Sequence, residues 1–407
     1  MKICHIVPIY LPGALPGCSS YIRDVSKNLA GRGHSLTVLT ADAITGRGWV
    51  DPLFGKYASR MEEVIDGVNV RRLKTRWQIT STMYLLKKMT GSLLPSSFRS
   101  TVSLLSAGPY LSNLKKEFQK QKYEVIHVTA FPFTLCWQVW NACYSLKKPF
   151  VCTPLIHFED PLHQNPRLWK VLKEASAVIA CSNYEREGMV KMGVPPSKIH
   201  LIPMGINVDD WENHSGKRFR EKYRLVGKKL VLFVGTKNYN KGAISLLEAI
   251  EIIRGKMEDV TLVSLGLPTE EWKNRRIALS KTHLLDLGYV SEEEKRDAFD
   301  ACDLFVMPSR YDSFGIVYLE AWRCGKPVIG ARMGAIPEVI QEGEDGLLVQ
   351  FGDVDQLAST ILHLLKSPDL CRRMGEKGKR KVEARYNWRQ NIGKIEEVFE
   401  GVKTEWR

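Results

Sequence analysis

The sequence of 407 residues lacks the patterns that define several common protein classes. Its nine cysteines are scattered and form no C-x-x-C pair, so reduced thiols are expected rather than disulfides or a zinc site. No metal-ligand spacing, P-loop or G-x-S-x-G nucleophile elbow occurs. The first apolar segment, Met1 to Pro8, is too short for a signal peptide and predicts a strand. A cytoplasmic protein is therefore expected.

Only one segment is long and apolar enough to raise the question of a membrane span. Residues 125–146 carry no Asp, Glu, Lys or Arg, and that length could cross a bilayer. However, the segment contains His127 and Gln138, and Pro132 interrupts it. A buried strand, a turn and a buried helix over 133–146 are therefore predicted instead of a transmembrane helix.

Acidic residues are scarce in the stretch 71–122, which holds eleven Lys and Arg and one acid, Glu117, in a chain of net charge +14. Such a block attracts nucleic acid or an anionic membrane. Because Trp77, Tyr84 and Phe98 lie among the basic residues, one interpretation is a basic amphipathic surface at a membrane. The alternative is a packed insertion with a solvated basic face. No nucleic-acid-binding module accompanies the charge, so no nucleic-acid partner is predicted.

Apolar segments of strand length alternate with helical segments along most of the chain. The alternation stops in the polar segment 209–227 and then begins again. This pattern predicts an α/β protein with two mostly parallel sheets and right-handed crossovers. We expect a first domain over 1–213, a second over 214–385, and a C-terminal helix over 386–407 that packs back on the first domain. Ligands of such sheets bind beyond the carboxyl ends of the strands.

The segment most typical of a binding site runs from Asp303 to Glu320, DLFVMPSRYDSFGIVYLE. A predicted strand leads to a loop with Asp312 and Gly315, and a helix that carries Glu320 follows. The N–H groups at a helix start can bind phosphate, and Gly315 lets a ligand approach the backbone closely. Glu320 can accept hydrogen bonds from ribose hydroxyls. The alternative is an acidic loop before an ordinary amphipathic helix, and the spacing alone does not decide between them.

Several segments together resemble the retaining glycosyltransferases of family 4, which have the GT-B fold. Asp312 and Glu320 resemble the E-x7-E motif of that family, and the run AWRCGKPVIGARMGAIPEVIQEGEDG over 321–346 resembles the segment that follows the motif. The segments IPMGIN over 202–207 and GTKNYNKG over 235–242 also resemble family segments. The resemblance implies two Rossmann-like domains facing across a cleft, with the acceptor on the first domain and a nucleotide-diphosphate sugar on the second.

The resemblance also implies roles for individual residues. Lys241 would face the diphosphate leaving group, while Asp312 and His157 would lie near the reacting sugar; these three are the expected catalytic residues. Glu320 would hold the ribose. Contacts to the nucleotide sugar are expected from Gly17, Gly235, Thr236, Lys237, Lys241, Val290, Asp312, Ser313, Phe314, Gly315, Ile316, Val317 and Glu320. No metal and no cofactor are expected, because the family transfers sugars without a metal.

The sequence departs from the family pattern at several of these positions. Thr236 replaces the usual arginine, and Lys237 is the cation expected to compensate for it in part. Asp312 replaces a glutamate, Pro16 replaces the first glycine of the N-terminal loop, and Ala335 replaces a glycine. These substitutions put the geometry around the donor sugar in question.

The predicted function is transfer of a sugar, with retention of configuration, from a nucleotide sugar to a hydroxyl of a glycan or lipid-linked acceptor. The resemblance places such a reaction in cell-surface polysaccharide or glycolipid assembly, with peripheral contact to the inner face of the membrane through 71–122. Two alternatives stay open: a nucleotide-sugar-binding protein without transferase activity, and a GT-B-type epimerase.

Overall fold

The computed structural model describes residues 1–11, 17–45, 49–51, 53, 55–90, 95–129, 131–278 and 283–405. By internal contacts the chain divides into two compact units. The first unit comprises Met1–Pro203 and Trp388–Arg407, and the second comprises Met204–Asn387. The division after Pro203 lies ten residues before the boundary predicted at 213, because the first sheet ends before the polar segment begins.

The first unit is built on an eight-stranded sheet within the described residues, in the order β3-β4-β2-β1-β5-β6-β7-β8. All neighbouring strands are parallel except the β3–β4 pair. The central strands are buried on both faces, which explains their continuous apolar sequences. The strands are β1 Lys2–Ile6, β2 Ser35–Ala41, β3 Glu62–Ile65, β4 Val68–Leu73, β5 Val125–Thr129, β6 Val151–Thr153, β7 Ala177–Ala180 and β8 Ile199–Leu201.

The helices of the first unit connect these strands as crossovers. They are α1 Gly17–Gly31, α2 Trp77–Thr90, α3 Ser96–Ser106, α4 Leu114–Lys120, α5 Thr134–Leu146, α6 Pro166–Glu174 and α7 Asn183–Lys191. The charge-free segment 125–146 is therefore a buried strand followed by a helix, as predicted. No helix in the described part of the chain is long and apolar enough to cross a membrane.

The second unit is built on a fully parallel sheet in the order β11-β10-β9-β12-β13-β14. Its strands are β9 Lys229–Val234, β10 Val260–Leu265, β11 Leu284–Asp286, β12 Leu304–Met307, β13 Val328–Ala331 and β14 Gly346–Val349. Its helices are α8 Gly216–Lys222, α9 Ala243–Arg254, α10 Glu270–Arg275, α11 Glu292–Ala301, α12 Ile316–Arg323, α13 Ile336–Val339, α14 Val354–Leu365 and α15 Pro368–Arg385. The two parallel α/β sheets confirm the predicted fold class.

The last helix, α16 Trp388–Glu405, belongs to the first unit and packs against α1. Phe399 of α16 lies 5.3 Å, between ring centroids, from the buried His127 of β5. Lys403 of the same helix forms a 3.0 Å ion pair with Glu124, just before β5. The chain therefore returns to its first sheet after completing the second one.

Candidate functional site

The loop between β12 and α12 ends in a backbone turn that requires glycine. Gly315 has a φ of 84° in the left-handed region and caps the helix that begins at Ile316. A Cβ atom at Gly315 would overlap the ring of Tyr318. Because the first N–H groups of a helix have no intrahelical acceptor, the start of α12 offers donors and a positive dipole end to an anion. Phe314, directly before the turn, is buried and packs edge-on against Tyr386.

Lys241 and Asp312 meet beside this helix start. The Lys241 Nζ atom lies 2.9 Å from Asp312 Oδ2 and 2.9 Å from the carbonyl oxygen of Tyr311. The two residues are brought together because β9 and β12, which precede their loops, are neighbours in the sheet. The loop after β9 can lie this close to the loop after β12 because residue 242 is glycine, and a Cβ atom there would overlap the carbonyl of Pro308. Both charged side chains keep partial exposure, 30% for the lysine and 15% for the aspartate.

Glu320 lies one turn into α12 and is held by a partly buried lysine that was not predicted from the sequence. The Lys295 Nζ atom of α11 is 2.9 Å from Glu320 Oε1 and 2.9 Å from Glu292 Oε2. Burial disfavours the ammonium, but the carboxylates of Glu320 and Glu292 outweigh it and raise the pKa of Lys295. A carboxylate fixed in this way can accept hydrogen bonds from a diol. The lone lysine in the acidic start of α11 was the available sequence signal.

Gly235, Thr236 and Lys237 follow β9, and they differ in burial. Gly235 lies so close to Gly266 of the next strand that a Cβ atom on Gly266 would overlap the Gly235 carbonyl. Thr236 is exposed. Lys237 is 1% exposed, and its ammonium donates to Asp286 and to the carbonyl of Leu287.

Lys237 belongs to a buried cluster with Asp286, Trp272 and Arg276. Trp272 Nε1 donates to Asp286 Oδ2 at 3.1 Å, and Arg276 lies 2.7 Å from the same oxygen. Burial lowers the pKa of Lys237, while Asp286 opposes that effect. The Lys237 ammonium is thus held by Asp286 and the Leu287 carbonyl, and within the described residues no hydrogen bond joins it to Lys241 or Asp312.

The remaining predicted contacts in the second unit lie on the same edge of its sheet. Ser313 is buried in the β12–α12 loop, and Ile316 and Val317 are partly exposed in the first turn of α12. Val290 is partly exposed directly before Ser291, which caps α11. The loop that leads to it is tied to the sheet by a 2.9 Å hydrogen bond from the Gly266 N–H to the Gly288 carbonyl.

The two other predicted residues, Gly17 and His157, belong to the first unit. Gly17 is exposed at the start of α1, and a Cβ built there would meet no other described segment within 4 Å. Pro16 lies outside the described residues. His157 is partly exposed in the loop after β6, and its backbone N–H donates to His163 Nδ1 at 3.2 Å. Burial, with the nearby His157, lowers the pKa of His163 to about 3. The His163 ring is therefore neutral, and its Nδ1 atom can accept this hydrogen bond.

Metal-ligating side chains do not converge in this region. In the described ranges, no group of three or more His, Cys, Asp or Glu could hold a metal ion. The second unit brings together a lysine, a helix start and a buried carboxylate, and this set can bind a diphosphate and a neighbouring diol. The roles of the individual residues stay predictions.

Comparison with known protein families shows to which family the chain belongs. Residues 216–381 match the family described as Glycosyl transferases group 1, and residues 91–210 match Glycosyltransferase Family 4. Together the two matches cover more than half of the chain. The chain belongs to family 4 of the glycosyltransferases, as the sequence analysis predicted.

Individual relatives agree with this assignment. A GDP-mannose-dependent alpha-(1-6)-phosphatidylinositol monomannoside mannosyltransferase of Mycolicibacterium smegmatis is 26% identical over 58% of this chain and 64% of its own length. The matches therefore span less than two thirds of the first curated relatives.

Solved structures match over almost the whole chain. Sucrose-phosphate synthase from Thermosynechococcus elongatus has a TM-score of 0.74 at 20% identity and covers 99% of both chains. Anabaena Alr3699/HepE in complex with UDP-glucose has a TM-score of 0.75 at 17% identity, over 98% of this chain and 100% of its own. These likenesses establish the GT-B fold.

Proposed function

We propose that this protein is a retaining glycosyltransferase that moves a sugar from a nucleotide-diphosphate sugar to a hydroxyl group of a glycan or lipid-linked acceptor. The observation that carries the proposal is the meeting of Lys241 and Asp312 at the glycine-capped start of α12, with Glu320 one turn further. A cation and free N–H groups suit a diphosphate leaving group, and a carboxylate one turn away suits its ribose.

In this proposal Lys241 and the N–H groups of Ile316 and Val317 stabilise the negative charge that grows on the departing diphosphate. Preorganised donors of this kind supply a large share of many rate enhancements. Asp312 has two roles: it orients Lys241 through their ion pair, and it accepts hydrogen bonds from the donor sugar. Metal-independence belongs to the same proposal, because Lys241 and the helix dipole would provide the positive charge.

The donor is the least specified part of the proposal. The Anabaena relative was solved with UDP-glucose, and the mycobacterial relative is described as GDP-mannose-dependent. We infer a nucleoside diphosphate hexose of either base. Val290 is proposed to contact the base through its backbone, and Gly17 is proposed to contact the phosphates.

Membrane contact through 71–122 is the second part of the proposal, and exposed apolar side chains favour it. On α2, Tyr84, Leu85 and Met89 are 43%, 55% and 82% exposed, and on α3 Phe98 is 48% exposed. Exposed basic residues are close to them in the sequence: Lys87, Lys88 and Arg99. We propose that this surface, called here the α2–α3 face, docks on anionic lipid at the cytoplasmic side and brings the protein to a lipid-linked acceptor.

A screen of nucleotide sugars by thermal unfolding tests the donor part of the proposal. Bound ligand raises apparent stability by mass action, so UDP- and GDP-hexoses should raise the melting temperature and free sugars should not. Stabilisation followed by transfer to an acceptor supports the proposal. Stabilisation without turnover would favour the binding protein, and isomerised donor in the absence of acceptor would favour the epimerase. No stabilisation by any nucleotide sugar would refute the proposed donor site.

A further inference from the structure

The loop that carries His157 contains a strained residue. Leu155 has a φ of 58°, in the left-handed region that side chains other than glycine rarely adopt, and it is 7% exposed. Such a conformation persists only when surrounding contacts hold it, and it often marks a functional site. Several of the contacts that hold this loop come from α7.

Glu185, in the first turn of α7, provides the polar contacts. Its side chain is fully buried, and Oε1 accepts a 2.8 Å hydrogen bond from the N–H of Ile156, the residue before His157. Oε2 accepts a 2.8 Å hydrogen bond from the N–H of Cys181 at the end of β7. One carboxylate therefore joins the loop after β6 to the loop after β7.

The same helix also holds the residues that follow His157. Gly188 lies against the ring of Phe158 so closely that a Cβ atom on this glycine would overlap the ring. The hydroxyl of Tyr184 donates to the carboxylate of Glu159. Helix α7 thus contacts the loop on both sides of His157, and the His157 ring lies 5.1 Å, between centroids, from the ring of His163.

We propose that Glu185 is a positioning residue that holds the 155–159 loop and thereby orients the His157 imidazole at the acceptor side of the reaction. The inference rests on the proposed transferase function, in which His157 lies near the reacting sugar. Glu185 itself has no contact with substrate, because its carboxylate is fully buried behind the loop.

The two hydrogen bonds that Glu185 accepts from Ile156 and Cys181 are called here the Glu185 clamp. The ionisation of Glu185 allows this clamp to be observed. Burial raises its pKa to about 7, against the lowering effect of the N–H donors. The titratable groups that sense its charge are Tyr21, Cys152 and Cys181, and burial raises the pKa of each of them. Protonation converts one acceptor oxygen into a donor, so the acid form holds the two N–H groups less well than the carboxylate does.

A double-mutant cycle between Glu185 and His157 tests the inference. Glu185→Gln should lower kcat about tenfold and leave the KM for the donor unchanged, since a displaced catalytic group slows the reaction without altering donor binding. In a His157→Ala background the same substitution should have no further effect on kcat. Glu187→Gln, an exposed neighbour on α7, should behave like the wild type. Additive losses, or a wild-type kcat for Glu185→Gln, would overturn the inference.

A second variant and a spectroscopic measurement guard against misfolding and against failure of the proposed function. Gly188→Ala should lower kcat by displacing Phe158 while Glu185 stays intact. In the wild type, the backbone amide proton resonances of Ile156 and Cys181 should shift together with one midpoint near pH 7. Absence of that common titration would overturn the clamp. Its presence in a protein that transfers no sugar would support the clamp and refute the transferase.

Discussion

The candidate donor segment of the second unit and the His157 loop of the first unit are built in different ways. In the second unit, Asp312, Gly315 and Glu320 lie within one loop and the helix that follows it. In the first unit, the N–H before His157 is held by a carboxylate 29 residues further along the chain. A site made by one strand-loop-helix segment is visible in the sequence, whereas a site held by a distant helix is not. The predictions below test this contrast.

The largest effect is expected from the cation of the second unit. Lys241→Ala should lower kcat by about a hundredfold or more, because it removes the preorganised ammonium that stabilises the negative charge on the leaving group. Initial rates at saturating donor measure this loss. Lys256→Ala, an exposed lysine just beyond the other end of α9, is the matched control and should leave kcat unchanged. Equal rates for the two variants would remove Lys241 from the mechanism.

The next effect concerns the first unit and its α2–α3 face. The double substitution Lys87→Gln/Lys88→Gln should weaken binding to vesicles with anionic lipid about thirtyfold, since each basic residue contributes about 1 kcal/mol there. Vesicle sedimentation at two salt concentrations measures it. The control Lys217→Gln/Lys256→Gln removes the same charge from the second unit and should bind as the wild type does. Binding that does not depend on salt would contradict the proposed surface.

A smaller effect is expected from the ribose carboxylate. Glu320→Gln keeps the shape but loses the charge, so the donor KM should rise about tenfold, as expected for one weakened charge-assisted hydrogen bond. Glu258→Gln, exposed before β10, serves as the control. Full activity of Glu320→Gln at limiting donor would show that the ribose lies elsewhere.

A separate effect, on stability rather than on activity or binding, is a loss of stability in acid that originates in the first unit. Burial lowers the pKa of His5 to about 3 and that of His127 well below its usual value. Because the unfolded chain binds protons below about pH 6.5 and the folded one does not, stability falls as pH drops below that value, by up to about 1.4 kcal/mol per pH unit for each histidine. Thermal unfolding between pH 7.5 and 5 should show a falling midpoint.

Glu185 is expected to change stability with pH in the opposite direction to the two histidines. Its pKa is raised from 4.5 to about 7, so the folded protein binds its proton first and gains stability as pH falls through this range. Glu185→Gln removes the gain and should make the acid loss steeper. A shallower loss in this variant would mean that protonation of Glu185 destabilises the folded protein, which would contradict the raised pKa.

Most of the fold could be predicted because apolar strands and helical segments alternate. Strand β3 was missed because Glu62 and Glu63 make it polar, as suits an edge strand. The signal for it was Asp66-Gly67, where both residues have positive φ, the conformation of a tight hairpin turn. The β12–α12 loop was predicted because its residues are close in sequence.

The parts of the site that were not predicted depend on contacts between distant segments. Lys295 and Glu185 sit on helices whose polar patterns look like ordinary solvated surfaces. The role of Lys237 in compensating for Thr236 stays a prediction, but its burial against Trp272 and Asp286 could not be read from the sequence. This lysine lies one position after the place of the usual arginine, and the residues that hold its ammonium come later in the chain.

The ion pair between Lys241 and Asp312 has a consequence for inhibitor design. A compound that is to displace the aspartate from the ammonium has to offer an anionic oxygen in its place, since a neutral linker would leave a partly buried charge without compensation. Analogues that replace the diphosphate by an uncharged bridge are therefore expected to bind poorly, and those that keep one anionic oxygen near Lys241 are the better starting points.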